Sequence, residues 1–313
     1  MLKKNKSIGK INSIYLAIFL MMMGILFVDF YGVIIKSLGN TYPMAQLTMF
    51  RNSFAVLPIF ILIYFSGEGF KIFQNLDNRF LFLCFLRGIS FLIMQLAYFI
   101  AIINMDFATA TTLSFSSPIF IVVLSLIFLR DKIGFYRWFA VGIGFMGVII
   151  IMKPASSIFS LYALLPLLVG LSWAFANILI KFYPEKTSTA KINFYTLIFS
   201  FLGSLIVLSV SSDYTSIQSL NHWTLMIAIG CLGGCASIFF IFAYRLVLPS
   251  VLGPFEYLGI PSSFFLGWFF FFESPIDDLF PGVIFIIFAG LIIIWREKTL
   301  ALKVEKNKKL HQA

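Results

Sequence analysis

Residues 97–132 read AYFIAIINMDFATATTLSFSSPIFIVVLSLIFLRDK, and residues 243–275 read AYRLVLPSVLGPFEYLGIPSSFFLGWFFFFESP. The two stretches share one pattern: an Ala-Tyr start, a run of small residues, a proline, and an acidic residue near the end. Pro118 and Pro261 lie 143 positions apart. The apolar segments that follow repeat at the same spacing: GFMGVIII at 144–151 and IFAGLIII at 287–294. The chain is therefore an internal duplication of one half-length unit.

The composition is that of a membrane protein. Hydrophobic residues make up 60% of the 313 residues and charged residues only 12%, whereas a soluble domain carries about 25% charged residues. Ten apolar runs, numbered here as spans 1 to 10, cover most of the chain: Ile14–Ile35, Met44–Phe65, Phe80–Ile103, Phe107–Leu129, Phe135–Met152, Phe159–Phe182, Ile192–Val210, Trp223–Leu248, Ser250–Phe272 and Leu279–Trp295. Most of these runs reach the ~17–25 residues that a helix needs to cross a bilayer, and the alternating pattern of a barrel is absent. We predict an all-α polytopic membrane protein with ten transmembrane helices.

Each copy contains five spans, and this odd number fixes how the copies sit in the membrane. Two copies of an odd-span unit run in opposite directions, which is the inverted-repeat architecture of carriers that open alternately to the two sides. We predict a first five-helix repeat at 11–153, a second five-helix repeat at 159–298 and a basic cytoplasmic tail at 299–313.

The positive charges predict the orientation. Of the 23 Lys and Arg residues, 19 fall on the side of the N-terminus and only Lys36 and Lys153 on the other, while Arg51 and Arg87 lie within spans. This asymmetry places both termini in the cytoplasm and the protein in the inner (plasma) membrane. The net charge of +10 therefore indicates contact with the lipid bilayer and not with nucleic acid.

Motifs in both copies resemble those of the drug/metabolite transporter superfamily, in its ten-helix EamA-type branch. The fourth span of each copy starts with a small residue, has a central proline and closes at Arg130-Asp131 or Phe272-Glu273. The first span of each copy ends in an apolar run closed by lysine, FYGVIIK at Lys36 and FANILIK at Lys181. The family usually has Gly-Glu where Arg130-Asp131 stands. The resemblance implies transport of amino acids, nucleoside-like metabolites, vitamins or S-adenosylmethionine, in either direction.

Charged residues inside spans are the first candidates for a transport site, because a charge in the bilayer normally faces the bundle interior and has a partner. Asp29 and Arg51 lie at similar depth on spans 1 and 2, which predicts an ion pair. Arg87 and Glu256 lie at matching depth on spans 3 and 9, which predicts a second pair between the copies. Each pair would be a gate or a proton-sensitive contact, or else a structural ion pair or a snorkelling arginine.

Polar and aromatic side chains supply the other candidates. Thr112 and Ser116 belong to a polar, hydroxyl-bearing face of span 4. This face either lines a pore or holds helices together through hydrogen bonds. Trp173 and Asn177 are one turn apart on span 6 and share a face. The remaining members of an aromatic and polar pocket are Gln95, Tyr98 and Tyr257. Lys36 and Lys181 are interpreted as anchors of helix ends.

These features predict a secondary active transporter for a small organic metabolite, working by alternating access. The sequence has no G-x-x-x-x-G-K-[ST] phosphate loop, so the driving force is a gradient, through protons at Asp29 or Glu256, or exchange. Interior cations outnumber interior acids, which favours an anionic or zwitterionic substrate. The alternative is a passive channel or a non-transporting membrane assembly subunit.

An enzymatic function is not expected. The only histidines are His222 and His311, and no H-E-x-x-H or G-x-S-x-G motif occurs. The three cysteines lie inside spans without metal-ligand spacing, so we predict no metal and no cofactor. The sequence leaves the oligomeric state open, including a homodimer.

Overall fold

The computed structural model describes residues 4–67, 69–74, 76–130, 134–152, 161–273, 280–285, 287–289, 291–292 and 295–296. The predicted basic tail at 299–313 lies outside the described residues, as do Asp131 and Lys153. Within the described residues the chain is helical and contains no β-strand. The prediction of an all-α polytopic membrane protein is confirmed.

The helices follow the predicted spans closely. Their bounds are Lys4–Leu38 for span 1; Met44–Phe54 and Val56–Phe65 for span 2; Asn78–Asn104 for span 3; Phe107–Ser114 and Ser117–Leu129 for span 4; Phe135–Met152 for span 5; Leu164–Leu179 for span 6; Thr189–Ser211 for span 7; Leu220–Leu246 for span 8; and Pro249–Leu252 and Gly259–Phe271 for span 9. Short 3₁₀ helices cover Gly69–Phe73, Leu161–Ala163, Ile180–Phe182 and Gly253–Leu258. Span 10 is helical at 282–285, 287–289, 291–292 and 295–296. Spans 1–4 and 6–8 give seven helices in the described part of the chain that are long and apolar enough to cross a membrane.

Side-chain caps explain where two of the helices begin. The Ser188 hydroxyl accepts the backbone N–H of Ala190 at 3.1 Å and caps the start of span 7. The Ser219 hydroxyl accepts the N–H of His222 at 3.3 Å and caps span 8 in the same way. Such caps satisfy N–H groups that have no acceptor inside the helix.

Spans 4 and 9 are broken at equivalent positions of the two repeats. In span 4 a new helix starts at Ser117, and in span 9 a new helix starts at Gly259 after the 3₁₀ segment. A proline follows each start, Pro118 and Pro261. Proline lacks the N–H that a helix interior needs but fits the first turn of a helix, so it sets the break.

Packing between the helices has the symmetry of the duplication. Span 1 packs along span 8, and span 3 packs along span 6. Spans 1 and 6 occupy equivalent places in the two repeats, as do spans 3 and 8. The contact between spans 1 and 8 is therefore equivalent to the contact between spans 6 and 3. The contact of span 2 with span 8 has its counterpart in span 7 with span 3, and that of span 4 with span 6 has its counterpart in span 9 with span 1. The two repeats are therefore interleaved around a common centre.

Side-chain burial follows the pattern expected in lipid. Large apolar side chains face outward, among them Phe60, Ile206 and Phe269 at 51%, 64% and 57% exposure. The intramembrane charges are buried instead, with Arg87 at 0% and Arg51 at 4% exposure. Charged groups inside the bundle are expected where helices enclose a functional site.

Candidate functional site

A cavity of about 740 Å³, counting the solvent at its opening, lies between the two repeats. Spans 1, 2, 3 and 4 of the first repeat and spans 6, 8 and 9 of the second contribute to its wall. The residues that line it are Ile25, Val28, Asp29, Tyr31, Arg51, Phe91, Met94, Tyr98, Thr111, Ser114, Phe115, Ser117, Val169, Trp173, Ala236, Ser237, Phe240 and Glu256. Five of the predicted site residues are among them: Asp29, Arg51, Tyr98, Trp173 and Glu256. An apolar cavity with a few convergent polar groups is typical of a small-molecule site.

Glu256 is the centre of a hydrogen-bond network that joins the two repeats. Its Oε1 accepts the indole N–H of Trp173 at 2.7 Å and the hydroxyl of Tyr244. Its Oε2 accepts the hydroxyl of Ser117, which belongs to the first repeat. Glu256 has no cationic partner within ion-pair distance among the described residues. The predicted Arg87–Glu256 ion pair is therefore wrong.

Arg87 lies outside the cavity wall and connects spans 3, 6 and 7. Its Nε donates to the carbonyl oxygen of Ala176 at 3.2 Å, and its Nη1 donates to Thr196 Oγ1 at 3.1 Å. The guanidinium carbon lies 4.7 Å from the centre of the Phe91 ring. Arg87 matches Glu256 in depth, but its side chain points toward different helices, and depth alone does not bring two residues together.

Asp29 and Arg51 line the same cavity but do not pair with each other. Asp29 Oδ2 accepts the hydroxyl of Ser262 on span 9. Arg51 donates to the side-chain oxygen of Asn52 at 3.0 Å and to the carbonyl oxygen of Gly233 at 3.2 Å. The predicted Asp29–Arg51 ion pair is wrong in this structure, because Asp29 is directed to span 9 and Arg51 to span 8.

Five other predicted site residues are buried and do not line the cavity. These buried residues are Gln95, Thr112, Ser116, Asn177 and Tyr257. Asn177 donates to the Trp173 carbonyl at 2.9 Å. Tyr98 stays on the wall, and its hydroxyl is 3.4 Å from Thr111 Oγ1.

Ser117, Tyr244 and Ser262, which bind the two cavity carboxylates, were not singled out from the sequence. A signal for Tyr244 existed, because the Ala-Tyr pair at 243–244 repeats the pair that contains Tyr98. Ser117 and Ser262 lie next to the two repeat prolines. Their positions at the helix breaks could have marked them.

One ion pair lies beyond the cavity, toward the ends of spans 1 and 9. Lys36 pairs with Glu273 and also donates to the carbonyl oxygen of Met105 at 2.9 Å. Glu273 Oε2 accepts the backbone N–H of Phe107 at 2.6 Å, at the start of span 4. We call this group the Lys36 clamp. Lys36 is thus not only a helix-end anchor, as interpreted from the sequence, because it ties the first repeat to the second.

Comparison with known proteins agrees with this architecture. The family model described as "EamA-like transporter family" matches twice, at residues 15–153 and 160–296. The chain belongs to the EamA-like transporter family. The resemblance stated from the sequence motifs is confirmed, and the family indicates a multi-pass membrane protein that transports small molecules.

Relatives in this family carry different substrates. An S-adenosylmethionine uptake transporter of Rickettsia felis is 27% identical over 85% of this chain and 88% of its own. The pseudopaline exporter CntI of Pseudomonas aeruginosa is 26% identical over 84% of this chain and 90% of its own. A riboflavin transporter of Brucella anthropi is 29% identical over 58% of this chain and 65% of its own. A solved crystal structure of a protein superposes with a TM-score of 0.68 over 91% of this chain and 97% of that one, at 14% identity, which supports the fold alone.

Proposed function

We propose that this protein is a secondary active transporter that moves a small organic metabolite across the inner membrane by alternating access. The observation that carries the proposal is the cavity between the repeats, whose wall holds Asp29, Arg51 and Glu256. Inverted repeats with a central site can open first to one side and then to the other. In this mechanism the repeats at 11–153 and 159–298 move against each other, with both termini in the cytoplasm.

The Lys36 clamp is one contact that such a motion must break. It joins Lys36 and the start of span 4, both in the first repeat, to Glu273 in the second. A carboxylate at a helix N-terminus is stabilised by the helix dipole, and the lysine adds a direct ion pair. We propose that the clamp closes the cavity on the side opposite to the N-terminus.

Glu256 is the candidate for coupling transport to protons. An ionised carboxylate only accepts hydrogen bonds, here from Ser117, Trp173 and Tyr244, whereas a protonated one adds an O–H donor that needs an acceptor of its own. Proton binding therefore changes a network that spans both repeats. This is a direct chemical route from protonation to a movement of the repeats.

The relatives' substrates support an organic metabolite of amino-acid-like, nucleoside-like or vitamin-like character. The relatives' names give uptake for S-adenosylmethionine, export for pseudopaline and no direction for riboflavin, so family membership leaves the direction of transport open.

Counterflow in liposomes tests the proposal. Proteoliposomes loaded with excess unlabelled compound should transiently accumulate the same compound in labelled form, with S-adenosylmethionine and riboflavin as first probes and a metabolite library after them. A passive channel gives equilibration without accumulation, and an assembly subunit gives no flux. Empty liposomes are the control, and folded protein without counterflow for any library compound would contradict the proposal.

A further inference from the structure

A second cavity lies where spans 3 and 7 begin, and it shares no lining residue with the cavity between the repeats. It measures about 730 Å³, counting the solvent at its opening. The start of span 3, the link between spans 6 and 7 and the start of span 7 form its wall, with Asp77, Arg79, Phe80, Tyr183 and Lys191 among the lining residues. We call it the 3–7 cavity. The distribution of positive charge predicts that it opens to the cytoplasm.

Two cationic side chains line the 3–7 cavity, one from each repeat. Arg79 is the second residue of the helix in span 3; it is exposed, and among the described residues it forms no ion pair. Lys191 lies in the first turn of span 7, and its Nζ donates to the carbonyl oxygen of Gln74 at 2.5 Å. The same Nζ stands 4.9 Å from the centre of the Phe80 ring. An arginine and a lysine in one concave wall offer the donors that bind phosphate groups.

Asp77 places one negative charge in the same wall. It stands immediately before the helix of span 3, but its side chain does not cap that helix. It is exposed, and among the described residues it forms no ion pair. A simple anion in this cavity would be repelled by Asp77, whereas a group with a phosphate at one end and an ammonium at the other would be attracted at both ends.

Packing fixes the aromatic part of the wall. The Phe80 ring meets the Tyr183 ring at 5.8 Å and the Tyr195 ring at 5.5 Å between centres, both edge to face. The Tyr183 hydroxyl donates to Cys84 Sγ at 3.5 Å. Phe80 and Tyr183 are only 5% and 6% exposed. The charged groups therefore stand on a wall that is already formed, and a preformed site loses less free energy to ordering when a ligand binds.

We propose that the 3–7 cavity binds a phosphoethanolamine group, with its phosphate held by Arg79 and Lys191 and its ammonium held by Asp77. Two sources carry this group: phosphatidylethanolamine of the membrane, and soluble phosphoethanolamine compounds. Basic pockets between transmembrane helices on the cytoplasmic side are known sites for lipid head groups. Because Arg79 and Asp77 belong to the first repeat and Lys191 to the second, the bound group bridges the two repeats.

Two matched series of compounds test the proposal. The first consists of dioleoyl phospholipids with ethanolamine, choline or glycerol head groups, and the second consists of the same three compounds without their acyl chains. Native mass spectrometry of the delipidated full chain in detergent measures the affinity for each. The ethanolamine compound should bind about tenfold more tightly than the other two, the effect of one hydrogen bond between charged groups. Choline has no N–H to donate to Asp77, and glycerol has no positive charge.

Variants assign the two ends of the group to their residues. Asp77→Asn should abolish the preference for the ethanolamine compound over the glycerol compound. Arg79→Gln should weaken the binding of all three compounds about tenfold, because each of them keeps the phosphate. Arg79→Lys keeps the charge without the planar fork and should lose less. Lys71→Gln and Asp213→Asn are the matched controls; they change exposed charges outside the cavity and should keep the wild-type affinities.

The comparison of the two series identifies the source of the group. An ethanolamine preference in the lipid series alone assigns the site to the membrane lipid. A preference in both series at similar affinity assigns it to a soluble compound, and both results support the phosphoethanolamine group. Equal affinities within both series, or wild-type affinities in Asp77→Asn and Arg79→Gln, would overturn the proposal. No binding in either series would overturn it as well.

Discussion

At the scale of single residues, Arg87 is a brace between the repeats. It joins span 3 to Ala176 on span 6 and to Thr196 on span 7, and it is fully buried. Thr196→Val should lower the free energy of unfolding by about 1–3 kcal/mol, because it leaves a buried donor of Arg87 without its acceptor. Arg87→Ala should cost more, about 2–5 kcal/mol, because it also leaves a cavity. The melting temperatures of both variants in nanodiscs measure these losses. An unchanged melting temperature in Arg87→Ala would contradict the stabilising role of Arg87 between the repeats.

The same residue shows which part of a site can be read from a sequence. The sequence correctly predicted that the four intramembrane charges lie inside the helix bundle: Asp29, Arg51, Arg87 and Glu256. Charged side chains avoid lipid, so they turn toward the bundle interior. Their partners were not predictable from depth. A partner depends on which way a side chain points around its helix and which helix lies opposite, and both are set by tertiary packing. Hydroxyl groups of Ser117 and Ser262 therefore took the places assigned to arginines.

At the scale of helices, the Lys36 clamp should control access to the cavity. In a background with Cys84, Cys231 and Cys235 replaced by alanine, Ser114→Cys places a thiol on the cavity wall. Adding Lys36→Met removes the ion pair with Glu273 and should raise labelling of this thiol by a membrane-impermeant maleimide several-fold in intact cells. The distribution of positive charge predicts that the clamp faces outward.

Lys181 provides the matched control for the clamp. Lys181 stands at the end of the first span of the second repeat, as Lys36 does in the first repeat, but the same charge rule predicts that it lies on the cytoplasmic side. Lys181→Met should leave outside labelling at the level of the parent. Equal labelling in the parent and in Lys36→Met would show that the clamp does not gate the cavity.

Gly259 sits where span 9 restarts and packs tightly against two neighbours. A Cβ atom there would lie 2.5 Å from Phe115 Cζ and 2.6 Å from Ile25 Cγ2. Gly259→Val should therefore lower stability by about 1–3 kcal/mol through overpacking. Gly142 on span 5 has nothing within 4 Å of such an atom, so Gly142→Val is the matched control and should melt close to wild type. A similar loss in both variants would indicate an effect of the glycine itself and not of the contact.

The breaks in spans 4 and 9 were partly predictable. Pro118 and Pro261 occupy matched positions in the two copies of the sequence, and the structure starts a new helix just before each of them. The six-residue 3₁₀ segment Gly253–Leu258, which carries Glu256, is longer than proline chemistry alone requires. Glu256 in this segment contacts spans 4, 6 and 8, and these contacts were not visible in the sequence.

At the scale of the whole molecule, the odd number of spans in each repeat predicts opposite orientations of the two repeats in the membrane. The expected topology has ten crossings, with both ends of the chain in the cytoplasm. An alkaline phosphatase fusion after Ala313 should be inactive, and one within 211–221, between spans 7 and 8, should be active. The reverse activities would refute the inverted-repeat arrangement.

The proposed coupling to protons involves all three scales, because the single carboxylate of Glu256 accepts hydrogen bonds from both repeats. Glu256→Gln keeps the size of the side chain, but its amide cannot gain or lose a proton. Uptake driven by an imposed pH gradient should therefore vanish in this variant, while counterflow without a gradient should persist. The measurement compares both modes in the same proteoliposomes, with Ser117→Ala as a control that removes one hydrogen bond but keeps the carboxylate. If Glu256→Gln retains gradient-driven uptake, the proton does not pass through Glu256. Asp29, the other buried carboxylate in the cavity wall, is then the coupling residue to test by the same pair of measurements.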